Sequence, residues 1–140
     1  MVLVNMTKLN SMLEEHQQWL SSLRKDGTQL HMEDEEFEDL DLREVALSEV
    51  IMPSVVFRNC DLAQADFASA NLASVTFESC NLSGATFAKA NLDYTVFKNC
   101  KVEKASFFRS SLYCAKFIST PLDGADMKKA YLAKMTSTIS

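Results

Sequence analysis

An apolar residue returns every five positions along most of this 140-residue chain. Counting from Phe37 in fives passes Leu42, Leu47, Met52, Phe57, Leu62, Phe67, Leu72, Phe77 and Leu82. It continues through Phe87, Leu92, Phe97, Val102, Phe107, Leu112, Phe117, Leu122, Met127 and Leu132. All 20 centres are apolar, which at 47% hydrophobic content chance would produce about three times in ten million. From the centre Leu62 onward, the residue two before each centre is small: Cys60, Ala65, Ala70, Val75, Cys80, Ala85, Ala90, Thr95, Cys100 and onward to Ala130.

A period of five suits neither regular element. Five residues turn an α-helix through 500°, so the centres scatter around its axis. On a flat strand they fall on alternate faces. They can be buried together only if the backbone bends after every fifth residue. Phe and Leu alternate at many centres, and a longer motif repeats every 20: Val56, Phe57, Arg58, Asn59, Cys60 returns as Thr76, Phe77, Glu78, Ser79, Cys80 and as Val96, Phe97, Lys98, Asn99, Cys100. Four bends per repeat make a square coil with like residues stacked on successive turns. The chain has only three Gly, so the bends do not depend on glycine.

The segments Ala65-Asp66-Phe67, Ala70-Asn71-Leu72, Cys80-Asn81-Leu82, Ala90-Asn91-Leu92 and Ala125-Asp126-Met127 resemble the pentapeptide-repeat family, whose unit is a small residue, Asp or Asn, Leu or Phe, and two polar residues. The resemblance covers roughly residues 35–134. It implies an all-β fold, a right-handed quadrilateral parallel β-helix of about five coils. The centre and the small residue before it point inward, giving a core of Phe57, Leu62, Phe67, Leu72, Phe77, Leu82, Phe87, Leu92, Phe97, Cys60, Cys80 and Cys100. Glu35 and Leu40 depart from the small residue, so the first coil is expected to be irregular or broadened, and Pro121 and Tyr131 depart from Asp/Asn. Five coils at the strand spacing of ~4.8 Å give a rod of about 24 Å.

A one-dimensional stack needs its ends covered. Leu9, Met12, Leu13, His16, Trp19, Leu20 and Leu23 form one stripe of an amphipathic helix, with Thr7 as a candidate N-cap and Gly27 as its stop. The pattern predicts an N-terminal α-helical cap over residues 1–31, the β-helix over 32–135 and a C-terminal tail over 136–140. No stripe follows Leu132, so the C-terminal end is the less protected one.

Charge is unevenly spread. Residues 33–49 carry nine acidic side chains and one basic, and residues 98–134 carry eight basic and three acidic. The acidic run Glu33–Asp41 could meet a basic partner or divalent cations, or serve as a solvated first coil that discourages edge-to-edge stacking. No apolar segment reaches membrane-spanning length and no secretory leader pattern opens the chain, which predicts cytoplasmic residence without a membrane partner. Four cysteines without a C-x-x-C pair fit a reducing compartment. Cys60, Cys80 and Cys100 are expected to stack inward as small hydrophobes rather than as metal ligands. Cys114 falls on an outward corner as a free thiol. His16 is expected to pack beside Trp19. No phosphate loop, nucleophile elbow or zinc spacing is present, so no enzyme, cofactor or metal is expected. The Asp/Asn ladder is read as corner hydrogen bonding.

Tyr94, Phe108, Tyr113, Ile118 and Tyr131 should point outward. The three tyrosines share one side in successive coils, Phe108 lies on the adjoining side, and Arg109, Lys116 and Lys128 lie nearby. Aromatics with basic neighbours favour protein interfaces. The preferred reading is a non-enzymatic scaffold binding a protein partner, including a second copy of itself, with no direct nucleic-acid binding. The family resemblance supplies the alternative, an acidic rod that mimics DNA and protects gyrase. Against it, 24 Å of duplex carries about 14 negative charges, whereas this chain nets −5 with a basic distal half.

Overall fold

The computed structural model describes residues 2–138. Its elements are β1 (Val2–Leu3), α1 (Met6–Ser21), β2 (Glu35–Glu38), β3 (Val56–Arg58), β4 (Thr76–Glu78), β5 (Val96–Lys98), β6 (Lys116–Ile118) and β7 (Thr136–Thr138). The strands form one parallel seven-stranded sheet in chain order. From β2 to β6 the register advances by 20, pairing Phe37 with Phe57, then Phe77, Phe97 and Phe117. The other three walls are ladders of single bridges, such as Asp61 with Asn81, Asp66 with Thr86 and Asn71 with Asn91. The result is a four-walled parallel β-solenoid of about five turns with one N-terminal helix. The walls are named below by β3, Asp61, Asp66 and Asn71.

Every fifth residue makes a corner. The residue two after each centre takes a positive φ, as at Asn59 (53°), Gln64 (58°), Ser69 (57°) and Ser74 (60°). On three walls a four-residue turn closes there, Ala65 N–H donating to Leu62 O at 3.0 Å and Ala70 N–H to Phe67 O at 3.1 Å. The Asp/Asn side chains accept from the corner backbone, Asp66 Oδ1 from Ala68 N–H at 2.9 Å and Asn81 Oδ1 from Ser83 N–H at 3.1 Å. These are the Asx contacts that let the chain turn without glycine.

Inside, Phe57, Leu62, Phe67, Leu72, Phe77, Leu82, Phe87, Leu92 and Phe97 are all fully buried. Phenylalanines from the β3 wall stack in one column, with Phe57 and Phe77 centroids 5.1 Å apart, and those of the Asp66 wall in another, with Phe67 and Phe87 5.2 Å apart. The columns meet edge to face, Phe57 to Phe67 at 6.1 Å. Each such pair adds about 0.5–1.5 kcal/mol beyond its burial.

The first coil is regular, contrary to the expectation from Glu35 and Leu40. Asp41, Ala46 and Ile51 pair with Asp61, Asp66 and Asn71 in the common register. No full coil lies beneath it, so Leu40 packs into the core, and Glu35 faces Lys8 of α1 at 3.6 Å. The helix differs from its predicted bounds. Asn5, not Thr7, is the N-cap, its Oδ1 accepting from Lys8 N–H at 2.8 Å. Leu23 leaves the stripe at positive φ and is 74% exposed. Gly27 does not stop the helix but lets the following loop return against it. A Cβ there would lie 2.5 Å from Glu15 O, and Thr28 N–H donates to that oxygen at 3.2 Å.

The sheet also recruits segments assigned by spacing to the cap and the tail. β1 pairs with β2, and β7 pairs with β6; residues 139–140 of the tail lie outside the described part. At the far end Leu122 and Met127 are only partly buried and Leu132 is 40% exposed. Among the described residues no helix is long and apolar enough to cross a membrane.

Candidate interaction surface

Tyr94, Tyr113 and Tyr131 occupy different places in their repeats: two after, one after and one before a centre. Their rings nevertheless meet on the Asn71 wall. Tyr94 and Tyr113 centroids are 5.6 Å apart and perpendicular, and Tyr113 and Tyr131 are 6.3 Å apart at 26°. Backbone register sets the column, Tyr94 N–H donating to Tyr113 O at 2.8 Å. Asp93 holds the backbone at Tyr113, its Oδ1 accepting from Tyr113 N–H at 3.2 Å and from Ser111 Oγ at 2.5 Å. Tyr94 and Tyr131 are 56% and 58% exposed. Tyr94 does this from the left-handed region at φ 60°, an unfavourable place for a bulky side chain. Repulsion from a Cys114 thiolate, the hydrogen bond with Cys114, and Tyr94 and Tyr131 hold the Tyr113 hydroxyl above its ordinary pKa. The phenol is therefore a neutral hydrogen-bond donor at neutral pH.

The remaining predicted residues divide between the flanking walls. Phe108, Arg109 and Lys128 lie on the Asp66 wall and its corner, the Arg109 guanidinium 5.2 Å from the Phe108 ring centre. Lys116 and Ile118 lie on the β3 wall in β6, Lys116 exposed and Ile118 half-buried. The structure thus brings the tyrosines into contact and places the other five on either side. One residue escaped the sequence reading: Lys89 takes the same corner as Arg109 and Lys129 on successive coils. The spacing of 20 alone would have found it.

Cys60, Cys80 and Cys100 stack inside, each 2–3% exposed. Their thiols donate to carbonyls one coil back: Cys80 Sγ to Phe57 O at 3.3 Å and Cys100 Sγ to Phe77 O at 3.2 Å. Thr120 continues the column, its Oγ1 donating to Phe97 O at 3.1 Å. The neighbouring thiol first, and burial second, push Cys60 far above its ordinary range; Cys80 is pushed up to about 12, chiefly by its bond with Cys100. Cys60 and Cys80 are thus protonated and inert at neutral pH, whereas the bond with Cys80 lowers Cys100 from its ordinary value. Cys114 is unpaired and half-buried rather than openly exposed. Among the described residues no three His, Cys, Asp or Glu side chains group as metal ligands.

His16 does more than pack on Trp19, whose ring lies 5.6 Å away. Fully buried, its Nδ1 accepts from Leu30 N–H at 2.9 Å while Nε2 lies 2.7 Å from Ser48 O. The first bond puts the proton on Nε2, which then donates to Ser48. His16 is the pin between α1, the return loop and the first coil.

The profile for the pentapeptide repeat region matches residues 30–107, and that for pentapeptide repeats in eight copies matches residues 90–128. Comparison with curated proteins finds no match. Among solved structures, HetL, a pentapeptide repeat protein involved in heterocyst differentiation regulation in the cyanobacterium Nostoc, aligns with TM-score 0.56 and 18% identity over 76% of this chain and 56% of its own. A pentapeptide repeat protein of the Arabidopsis thaliana thylakoid lumen aligns with TM-score 0.55 and 22% identity over 70% and 65%. Full-length QnrB1, a plasmid-mediated fluoroquinolone resistance protein, aligns with TM-score 0.53 and 17% identity over 81% and 75%. The chain spans less than two thirds of the first two, and at these identities the likeness is one of fold.

Proposed function

Because the chain belongs to the pentapeptide-repeat family, we propose that it is a non-enzymatic protein-binding module that self-associates through its C-terminal coils. The observation that carries this reading is the tyrosine column beside an incompletely buried last coil. Three aromatic rings touch one another on the outside of the last three coils, next to a half-exposed Leu132. At the opposite end β1 and α1 cover the stack. Burying such rings against a second copy would withdraw apolar surface from water and leave the neutral phenols as donors. The module is expected to work in the cytoplasm.

Mass in solution tests it. The wild type should be dimeric and a Tyr113→Ser/Phe108→Ser double variant monomeric; a monomer in both cases removes the proposal. The charge distribution does not favour the gyrase-directed reading, even though QnrB1 shares the fold. Gyrase supercoiling assayed with a quinolone present separates the two, since rescue of supercoiling would favour DNA mimicry.

A further inference from the structure

The cations divide into a paired and an unpaired set. Lys8, Arg24, Arg43, Arg58 and Lys98 each lie within 4.0 Å of a carboxylate. The other nine have no such carboxylate among the described residues, and of these Lys89, Arg109 and Lys129 are exposed and stack as a column. They share one corner on three successive coils, held in register by Lys89 N–H donating to Phe108 O at 2.8 Å and Arg109 N–H to Lys128 O at 3.1 Å.

The fold does not ask for cations here. All three stand at positive φ, 61°, 58° and 59°, where Gly or Asn is better suited. Stacked one coil apart, they also repel one another. The column runs between Phe108 on one wall and Tyr113 and Tyr131 on the next.

We propose that this corner docks an acidic α-helical segment of a protein partner, its carboxylates set against Lys89, Arg109 and Lys129. Two coil steps separate the ends of the column by about 10 Å. Glutamates at i, i+3 and i+7 of an α-helix lie on one face and span about the same distance. A single-stranded polynucleotide needs open aromatic faces for its bases. Here the Tyr113 ring already has Tyr94 edge-on at 5.6 Å and Tyr131 against it at 6.3 Å, so no base can insert between the rings. The inference rests on the protein-binding reading above but not on self-association.

The test is fluorescence anisotropy with a labelled helical peptide bearing glutamates at i, i+3 and i+7. A Lys89→Gln/Arg109→Gln/Lys129→Gln variant, shown by its thermal melt to be folded, should bind at least about tenfold more weakly than wild type. A Lys25→Gln/Lys101→Gln control should change affinity by less than about twofold. Raising ionic strength from about 0.05 to about 0.5 M should weaken wild-type binding in the same direction. Unchanged affinity in the folded triple variant overturns the proposal, as does a wild type that binds no such peptide or binds oligothymidine as tightly. None of these results alters the mass measurement that decides self-association.

Discussion

Twenty-one positions from Asp34 to Lys134, five apart, take a positive φ, and only Gly84 and Gly124 among them are glycines. A left-handed residue with a side chain costs about 1–2 kcal/mol, so the stacked hydrogen bonds and the core must offset that cost at each corner. The centres therefore matter most. Phe87 is fully buried between Phe67 and Phe107, so Phe87→Ala should destabilise by about 3–5 kcal/mol in denaturant unfolding. Ala68→Ser, on the outside of the same wall, should cost less than about 0.5 kcal/mol; equal effects would reverse inside and outside. Asp41 offers a charge test. Its pKa is lowered to about 2 by the hydrogen bonds and charge of Arg43. Because the folded value is depressed, whatever the pair contributes is present above the ordinary carboxylate range and is lost as pH falls through about 2. In Arg43→Gln the carboxylate, followed by NMR, should titrate near its ordinary value of about 3.9.

At the scale of elements, the weak joint is the contact between α1 and the first coil. Its specificity comes from His16, which satisfies Leu30 N–H and Ser48 O together. His16→Ala would leave both without that partner, at a cost of about 2–4 kcal/mol. Circular dichroism should show helix loss before the sheet melts, and a single cooperative transition at the wild-type temperature would contradict this role. The stripe of Leu9, Met12 and Leu13 made this helix legible in sequence. The buried histidine contacts were not, because Ser48 and Leu30 reach His16 only when the coil closes, and neither spacing nor polarity marks them.

Over the whole molecule, protection should follow position in the stack. Coils centred on Phe57 to Phe107 have neighbours on both sides and fully buried centres, whereas Leu122, Met127 and Leu132 are incompletely covered. In the monomeric Tyr113→Ser/Phe108→Ser variant, hydrogen exchange should be slowest at Thr76, Phe87 and Val96 and fastest across residues 122–138. Uniform protection along the wild-type rod would mean that the last coil is covered in solution, as self-association would do. The charge gradient from the acidic first coil to the basic distal corner is also a property of the assembled rod. It becomes a surface only when residues 20 apart are stacked.

The period of five and its multiple of 20 determined the corners, the inward side chains and the thiol column, because a repeated local geometry needs no long-range information beyond closure of the coil. Closure itself decided the rest. β1 and β7 joined the sheet because the open edges of a parallel stack offer unpaired backbone groups to whichever end segment lies within reach. The tyrosine rings met although their repeat positions differ, since side-chain length compensates for backbone offset between neighbouring coils. The sequence specified which residues face outward; only the packed structure determined which of them touch.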